Sequence, residues 1–228
     1  MTDAVAIANI ALNNLGDKTI SDFSDNTAQA FATKTRFSDV VNQVLRAHPW
    51  NCATKRATLA KFTVKPTYNF DHAYQLPTDA LRVLSLYEEV NYDYAWKIEL
   101  IADGEEDRLA LVTSSSTANI TYVKKYIGSG NHDNKEAVMT LNNFDPILVQ
   151  AVGMALAGEI AMDLTGQSQL RDLMLGKYQA ILSEARSING QEGTADRIES
   201  NEWINARTRS ASGYFKPFSA DTANGVTA

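Results

Sequence analysis

One short segment, residues 46–56 (RAHPWNCATKR), constrains the fold more than any other part of this chain. Apolar residues recur every three or four positions before it and alternate with polar ones after about Ala57, which predicts a helix followed by a strand. Pro49 ends the helix, because proline lacks an amide hydrogen and disfavours helical geometry at the preceding residue. The segment therefore predicts that a helical part meets a β part here, with Trp50 in the core between them. At its centre are His48, Pro49, Trp50 and Asn51, which we call the junction.

Four stretches of the chain predict helices: residues 3–15, about 26–47, 145–165 and about 168–190. Asp3 is suited to capping the first helix, and Asp145-Pro146 supplies a cap and a first-turn proline to the third. The third stretch is apolar or small on all sides over 147–162, so we expect a buried helix. The residues that predict the ends of the first, third and fourth helices are Gly16, Gly166 and Asn189-Gly190.

The region between the two helical pairs predicts five or six antiparallel strands separated by turn-forming clusters. The segments with strand character are 57–62, 68–74, 81–90, 95–101, 109–112 and 119–126. The simplest arrangement is an α+β fold in which residues 1–55 and 138–190 form one four-helix bundle. An antiparallel β domain, residues 56–137, is then inserted in the middle of the bundle.

Residues 191–228 predict an extended C-terminal arm. They lack helical or strand periodicity, yet they carry aromatic residues that a disordered tail normally lacks. Tryptophan, tyrosine and arginine are the residues that dominate protein interfaces, so we predict that the arm binds a neighbouring subunit. An arm that folds back on its own subunit is the alternative, and the loop 128–134 is a second, weaker interface candidate. The predicted interface residues are Trp203, Arg207, Arg209, Tyr214, Phe215 and Phe218.

The composition is that of an ordinary globular protein, with 44% hydrophobic and 21% charged residues. A formal net charge of -6 argues against a sequence-reading nucleic-acid binder, which needs a basic face for phosphates. Cys52 is the single cysteine, so no intrachain disulfide is expected. The N-terminus lacks signal-peptide features, and polar residues interrupt the longest apolar stretch, 147–164. We therefore expect a protein that is made in a cytoplasm and does not enter a membrane.

No motif predicts catalysis or cofactor binding. The three histidines, His48, His72 and His132, share no spacing suited to a metal ion. Nothing in the sequence near Cys52 would activate it, so a buried, inert thiol is expected. The acidic run 103–107 lacks the ligand spacing of a calcium loop and predicts a solvated hairpin turn. We therefore predict a protein that is not an enzyme and has no catalytic residues, cofactor or metal.

Four segments form a recognisable set: ALNNLG at 11–16, ISDF at 20–23, LRAHPWNCATKRATLA at 45–60 and AYQLPTDALRV at 73–83. Together they resemble the tail tubular protein A family, the head-to-tail adaptors of T7-like short-tailed bacteriophages (podoviruses). The resemblance covers about residues 1–90 and the helices of 144–188, and it is weak in the arm. Family members often have HPWNFA where this chain has HPWNCA, so Cys52 replaces an aromatic residue. These motifs are packing signatures and carry no chemistry.

The resemblance implies a structural role in the virion tail or neck. Such adaptors form a ring, typically a dodecamer, beneath the portal protein. They join the portal to the tail nozzle, a protein of the tail tubular protein B type, and tail fibres can attach near the ring. The genomic DNA passes through an axial channel during ejection without sequence-specific binding. No membrane is involved.

Two other readings stay open at this point. One is a head-completion or stopper connector of another type of tailed phage, which would also form a ring and would differ in its partner. The other is a virion-associated hydrolase, which needs two carboxylates converging in a pocket. The spacing of the acidic residues predicts no such pair.

Overall fold

The computed structural model describes residues 3–87, 95–103, 106–127 and 141–192. Within them the fold is α+β, with four helices and two small antiparallel sheets. The residues up to Glu192 form one compact unit, so helices and sheets belong together. The helices are α1 (Ala4–Leu15), α2 (Ala28–Ala47), α3 (Pro146–Thr165) and α4 (Ser168–Gln191).

Local chemistry sets most of the helix ends, as the sequence predicts. The side chain of Asp3 accepts the N–H of Ala6 at 2.7 Å at the start of α1, and Gly16 ends this helix at φ 73°. Asp145 caps α3 ahead of Pro146 in the same way. The left-handed conformation of Gly16 satisfies carbonyl groups of the last turn, and glycine adopts it without a steric cost.

The end of α4 differs from the prediction. Asn189-Gly190 does not terminate the helix, which continues to Gln191. Gly190 is not among the glycines with positive φ, so it does not form the expected cap. The side chain of Asn189 instead contacts the junction, as described below.

Six strands lie in the described residues, in agreement with the five or six predicted. The first sheet has the order β1-β6-β3 and the second β2-β5-β4, and all their pairings are antiparallel. Two predicted segments were wrong in part. Residues 59–62 lie beyond the first strand, which ends at Thr58. Residues 68–71 precede the second strand, and Asn69 has a φ of 68°, which strands do not adopt. The strands are β1 (Thr54–Thr58), β2 (His72–Gln75), β3 (Ala80–Tyr87), β4 (Trp96–Asp103), β5 (Glu106–Thr113) and β6 (Asn119–Lys124).

Helix α3 is the buried element on which the other three helices pack. A Cβ atom on Gly153 would lie 2.7 Å from Cγ2 of Ile10, and one on Gly158 would lie 2.7 Å from Cδ2 of Leu175. These glycines therefore allow α1 and α4 to approach closely. Among the described residues α3 is long and apolar enough to cross a membrane, but most of it is buried inside the protein, as expected of a core helix.

The first sheet lies against the helices with one face and against the second sheet with the other. On the helical side Val123 belongs to the same buried cluster as the residues of α1 to α4. On the opposite side Ile120 and Tyr122 pack with Tyr74 and Leu111 of the second sheet. This alternation follows from the two-residue period of a strand, which directs neighbouring side chains to opposite faces.

Candidate functional site at the junction

The junction lies where the sequence predicts it, between the end of α2 and the start of β1. His48 leaves the helical conformation at φ -151° and ψ 149°. Residues Asn51–Ala53 form one turn of 3-10 helix, and β1 begins at Thr54, earlier than the change of pattern indicates. The chain thus changes from helix to strand within six residues, because Pro49 forbids a longer helix.

Trp50 is in the core, which confirms the prediction. It is 2% exposed and belongs to the cluster that includes the helices and Val123 of β6. Its indole Nε1 donates a hydrogen bond to the carbonyl of Val44 at 3.0 Å, so the only polar atom of its side chain is satisfied. The ring of His48 packs edge-on against it, with 4.8 Å between ring centroids.

The C-terminal turn of α4 is tied to the junction through Asn189. The backbone N–H of Asn51 donates to Oδ1 of Asn189 at 3.0 Å, and Nδ2 of Asn51 donates to the backbone carbonyl of Asn189 at 3.1 Å. Nδ2 of Asn51 also donates to a carboxylate oxygen of Glu192 at 3.1 Å. Nδ2 of Asn189 in turn lies 3.2 Å from Nε2 of His48 and 3.4 Å from the carbonyl oxygen of Pro49. Three residues of the junction (His48, Pro49 and Asn51) and the end of α4 therefore form a single polar network.

Arginine side chains complete the attachment of neighbouring elements to the end of α2. Arg186 of α4 donates to the carbonyl of Ala47 at 3.4 Å, and Arg82 of β3 donates to the carbonyl of Arg46 at 3.4 Å. Arg46 donates in return to the carbonyl of Leu81 at 2.8 Å. The last carbonyl groups of a helix have no hydrogen-bond donor within the helix, and Arg186 and Arg82 donate to two of them here.

The electrostatics of the junction favour neutral His48. Partial burial lowers the pKa of His48 below its ordinary value, and the positive charges of Arg186 and Arg82 lower it further. Both effects disfavour the imidazolium form. His48 is therefore not arranged as a cation that offsets the helix dipole.

Cys52 lies beside a small pocket and is chemically quiet. Burial raises the pKa of its thiol to about 11, so it stays protonated at neutral pH, in agreement with the inert thiol predicted from the sequence. The residue is half-buried, however, and not fully buried as predicted. The pocket has a volume of about 170 Å³ and is lined by Trp50, Phe144, Leu148 and Ile188 among others. The site therefore offers a space for packing and no nucleophile.

In the part of the chain that the structure describes, no three His, Cys, Asp or Glu side chains are close enough to hold a metal ion. His72 lies in β2, away from the junction, and His132 lies outside the described residues. The buried carboxylate of Asp79 accepts a hydrogen bond from the hydroxyl of Tyr122 at 3.0 Å, and Nζ of Lys55 is 3.9 Å from it. This arrangement satisfies a buried charge and links β3 to β6, which is a structural task.

The predicted arm interface is not tested by the structure. Residues 193–228 and the loop 128–134 both lie outside the described residues. The interface residues that the arm prediction names therefore stay predictions. They are Trp203, Arg207, Arg209, Tyr214, Phe215 and Phe218.

Sequence reasoning missed two exposed apolar surfaces. On the β4–β5 hairpin, Leu100 and Leu109 are direct cross-strand partners and are 65% and 54% exposed. On the helices, Phe31 is 74% exposed beside a groove of about 280 Å³ that Leu164 also lines. The sequence of β4 places apolar residues on both faces of the strand. This pattern was the signal from which the exposed apolar surface of the hairpin could have been predicted. Large exposed apolar side chains mark binding surfaces more often than core or catalytic positions.

The geometry of the junction is that of a structural joint, in which side-chain amides and guanidinium groups hold backbone elements together. Neither a protein-family model nor a curated protein matches this chain.

Proposed function

We propose that this protein is a structural virion protein of the tail tubular protein A type: a ring-forming head-to-tail adaptor that joins the portal to the tail nozzle. The main support for the proposal is that the motif at 45–60 holds parts of the fold together. Within this motif His48 and Asn51 make polar contacts with Asn189, which attach the end of α4 to the junction. A motif that works entirely in packing fits a structural protein better than an enzyme.

The exposed apolar surfaces support assembly with other subunits. A ring needs a heterologous contact, in which two different surfaces of the same subunit meet, and it closes when the rotation per subunit divides the circle. The pair Leu100 and Leu109 on the hairpin and Phe31 on α2 are two such separate surfaces. They belong to strands and a helix, which are rigid elements suited to a repeated contact.

The finer architecture is part of the proposal. We expect α1 to α4 to form a four-helix bundle from residues 1–55 and 138–190, with the strands of 56–137 inserted. We expect residues 191–228 to form an extended arm that binds a neighbouring subunit or the portal and orders on binding. The net charge of -6 suits a channel past which DNA slides, because like charges repel at short range.

The proposed partners are other copies of the chain in a ring, the portal, a nozzle protein of the tail tubular protein B type, and tail fibres. The resemblance alone implies that the ring is a dodecamer. The proposed location is the virion tail or neck. Both follow from the resemblance at 11–16, 20–23, 45–60 and 73–83.

The decisive test is assembly. The purified full chain is measured by native mass spectrometry over a concentration series, alone and with isolated portal rings, and large species are imaged by negative stain. Open-centred rings, formed alone or on the portal, support the proposal. A chain that stays monomeric with the portal of its own phage contradicts it, and binding to a head-completion ring in place of a portal would favour the stopper connector.

A further inference from the structure

The side-chain amide of Asn189 is held in one orientation by two backbone groups of the junction. Its Oδ1 accepts the N–H of Asn51 at 3.0 Å, and its Nδ2 donates to the carbonyl oxygen of Pro49 at 3.4 Å. A backbone N–H only donates and a carbonyl oxygen only accepts. Turning the amide over would lose both bonds.

This orientation decides the protonation state of His48. Nδ2 of Asn189 lies 3.2 Å from Nε2 of His48, and an amide NH₂ group can only donate. Nε2 must therefore carry a lone pair, which places the proton of the neutral ring on Nδ1. Protonated His48 would set two donors against each other at this distance.

We propose that His48 and Asn189 form a proton-sensitive latch, in which neutral His48 holds the C-terminal turn of α4 on the junction and protonated His48 releases it. Asn189 is the one side chain of this network that contacts His48, Pro49 and Asn51. A change in its orientation therefore loosens several contacts together. The latch goes beyond the adaptor role and does not depend on it.

The charged surroundings of His48 agree with the latch. Arg186 of α4 and Arg82 of β3 both lower the pKa of His48, behind the larger effect of burial. A proton added to His48 would thus join two fixed positive charges, so release is assisted by repulsion between His48 and Arg186. The titratable and charged groups around the junction are Arg46 on α2, Arg82 on β3, Asp145 at the start of α3, Arg186 and Glu192 at the end of α4, and Cys52 in the 3-10 turn.

The first experiment measures the tautomer of His48 in the full chain. Nitrogen chemical shifts of the imidazole ring at about pH 7.5 report which nitrogen carries the proton. We expect the proton on Nδ1 of His48. A proton on Nε2 would overturn the proposal, because Nε2 could not then accept from Asn189.

The second experiment follows hydrogen exchange of the amides of residues 188–191 in the full chain at about pH 7.5 and about pH 5, on either side of the ordinary pKa of histidine. Each rate is divided by the intrinsic rate at that pH. We expect protection to fall about tenfold at the lower pH, the effect of one lost hydrogen bond. In His48→Gln, whose amide oxygen can accept at the position of Nε2 and does not titrate, protection should stay within about twofold.

His72→Gln is the matched control, since His72 lies in β2 and takes no part in the hydrogen bonds of the junction described above. It should lose protection with acid as the unmodified chain does. Equal protection at both pH values in the unmodified chain, or the same acid-induced loss in His48→Gln, would overturn the latch. If His48→Gln does not fold, the tautomer and the exchange of the unmodified chain decide the matter.

Discussion

Asn51 and Asn189 are 138 positions apart in the sequence and are joined by two hydrogen bonds, both donated by Asn51, one from its backbone N–H and one from its side-chain amide. The contact joins the turn after α2 to the last turn of α4. Chain closure over this distance is entropically costly, so the contact forms only because the helical core has already brought the two ends together. It is the point at which the ends of α2 and α4 meet the start of β1.

Replacing Asn189 by alanine should lower the free energy of unfolding by about 1 kcal/mol, because the hydrogen bonds of its side chain to Asn51 and His48 are lost at a partly exposed site. Chemical denaturation of the two proteins measures the difference. Ser187→Ala, an exposed position on the same helix, should change the value by less than about 0.5 kcal/mol. Equal effects of the two substitutions would contradict the role of Asn189.

Replacing Cys52 by phenylalanine should raise the free energy of unfolding by about 0.5–2 kcal/mol, since the side chain can fill the adjacent pocket of about 170 Å³. Thermal and chemical denaturation both report this change. Cys52→Ala should have the opposite sign, because it enlarges the pocket. A destabilised Cys52→Phe protein would mean that the pocket walls cannot accept the ring.

Cys52 in the folded protein should react slowly with thiol reagents at neutral pH. Its pKa of about 11 lies two units above the ordinary 9.0, so the folded protein carries about a hundredfold less thiolate than an exposed cysteine. The rate should rise with pH towards 11. The same reagent applied in denaturant serves as the reference, and equal rates in the two states would refute the assignment.

His48 should make the fold less stable in mild acid. Its pKa is lower in the folded protein than the ordinary 6.5, so the unfolded chain binds the proton first as pH falls. The stabilisation is complete above about pH 6.5 and is lost as pH decreases towards the folded pKa. The Tm of the unmodified chain should therefore fall more between about pH 7.5 and about pH 5 than that of His48→Gln. Parallel losses in both proteins would assign the acid sensitivity to other groups.

The apolar pair on the hairpin should matter for assembly and not for folding. Leu100→Lys combined with Leu109→Glu places opposite charges on direct cross-strand partners, which preserves the hairpin. We expect the free energy of unfolding to change by less than about 0.5 kcal/mol and subunit association in sedimentation velocity to be weakened. Leu173→Lys, at a residue of α4 that is 54% exposed, is the control. Association that is unchanged by the double substitution would remove the hairpin from the proposed contact.

The helix boundaries show how far local chemistry reaches. Asp3 and Gly16 delimit α1, and Asp145-Pro146 opens α3, because each cap is made by residues a few positions away. The same is true of Pro49, which ends α2 within its own segment. Such features could be predicted from the sequence because cause and effect lie in the same turn.

The features that the sequence did not predict depend on residues that are distant in the sequence. Asn189-Gly190 has the sequence of a helix end, but the junction engages Asn189 and the helix continues. The exposed pair Leu100 and Leu109 lies in strands rich in apolar residues, and nothing in the local sequence distinguishes it from a buried pair. The sequence by itself determined the four helices, the caps of α1 and α3 and the position of the junction, since these depend on neighbouring residues. Tertiary structure alone decided what the junction holds and which apolar residues face solvent, since those outcomes depend on elements that meet only after folding.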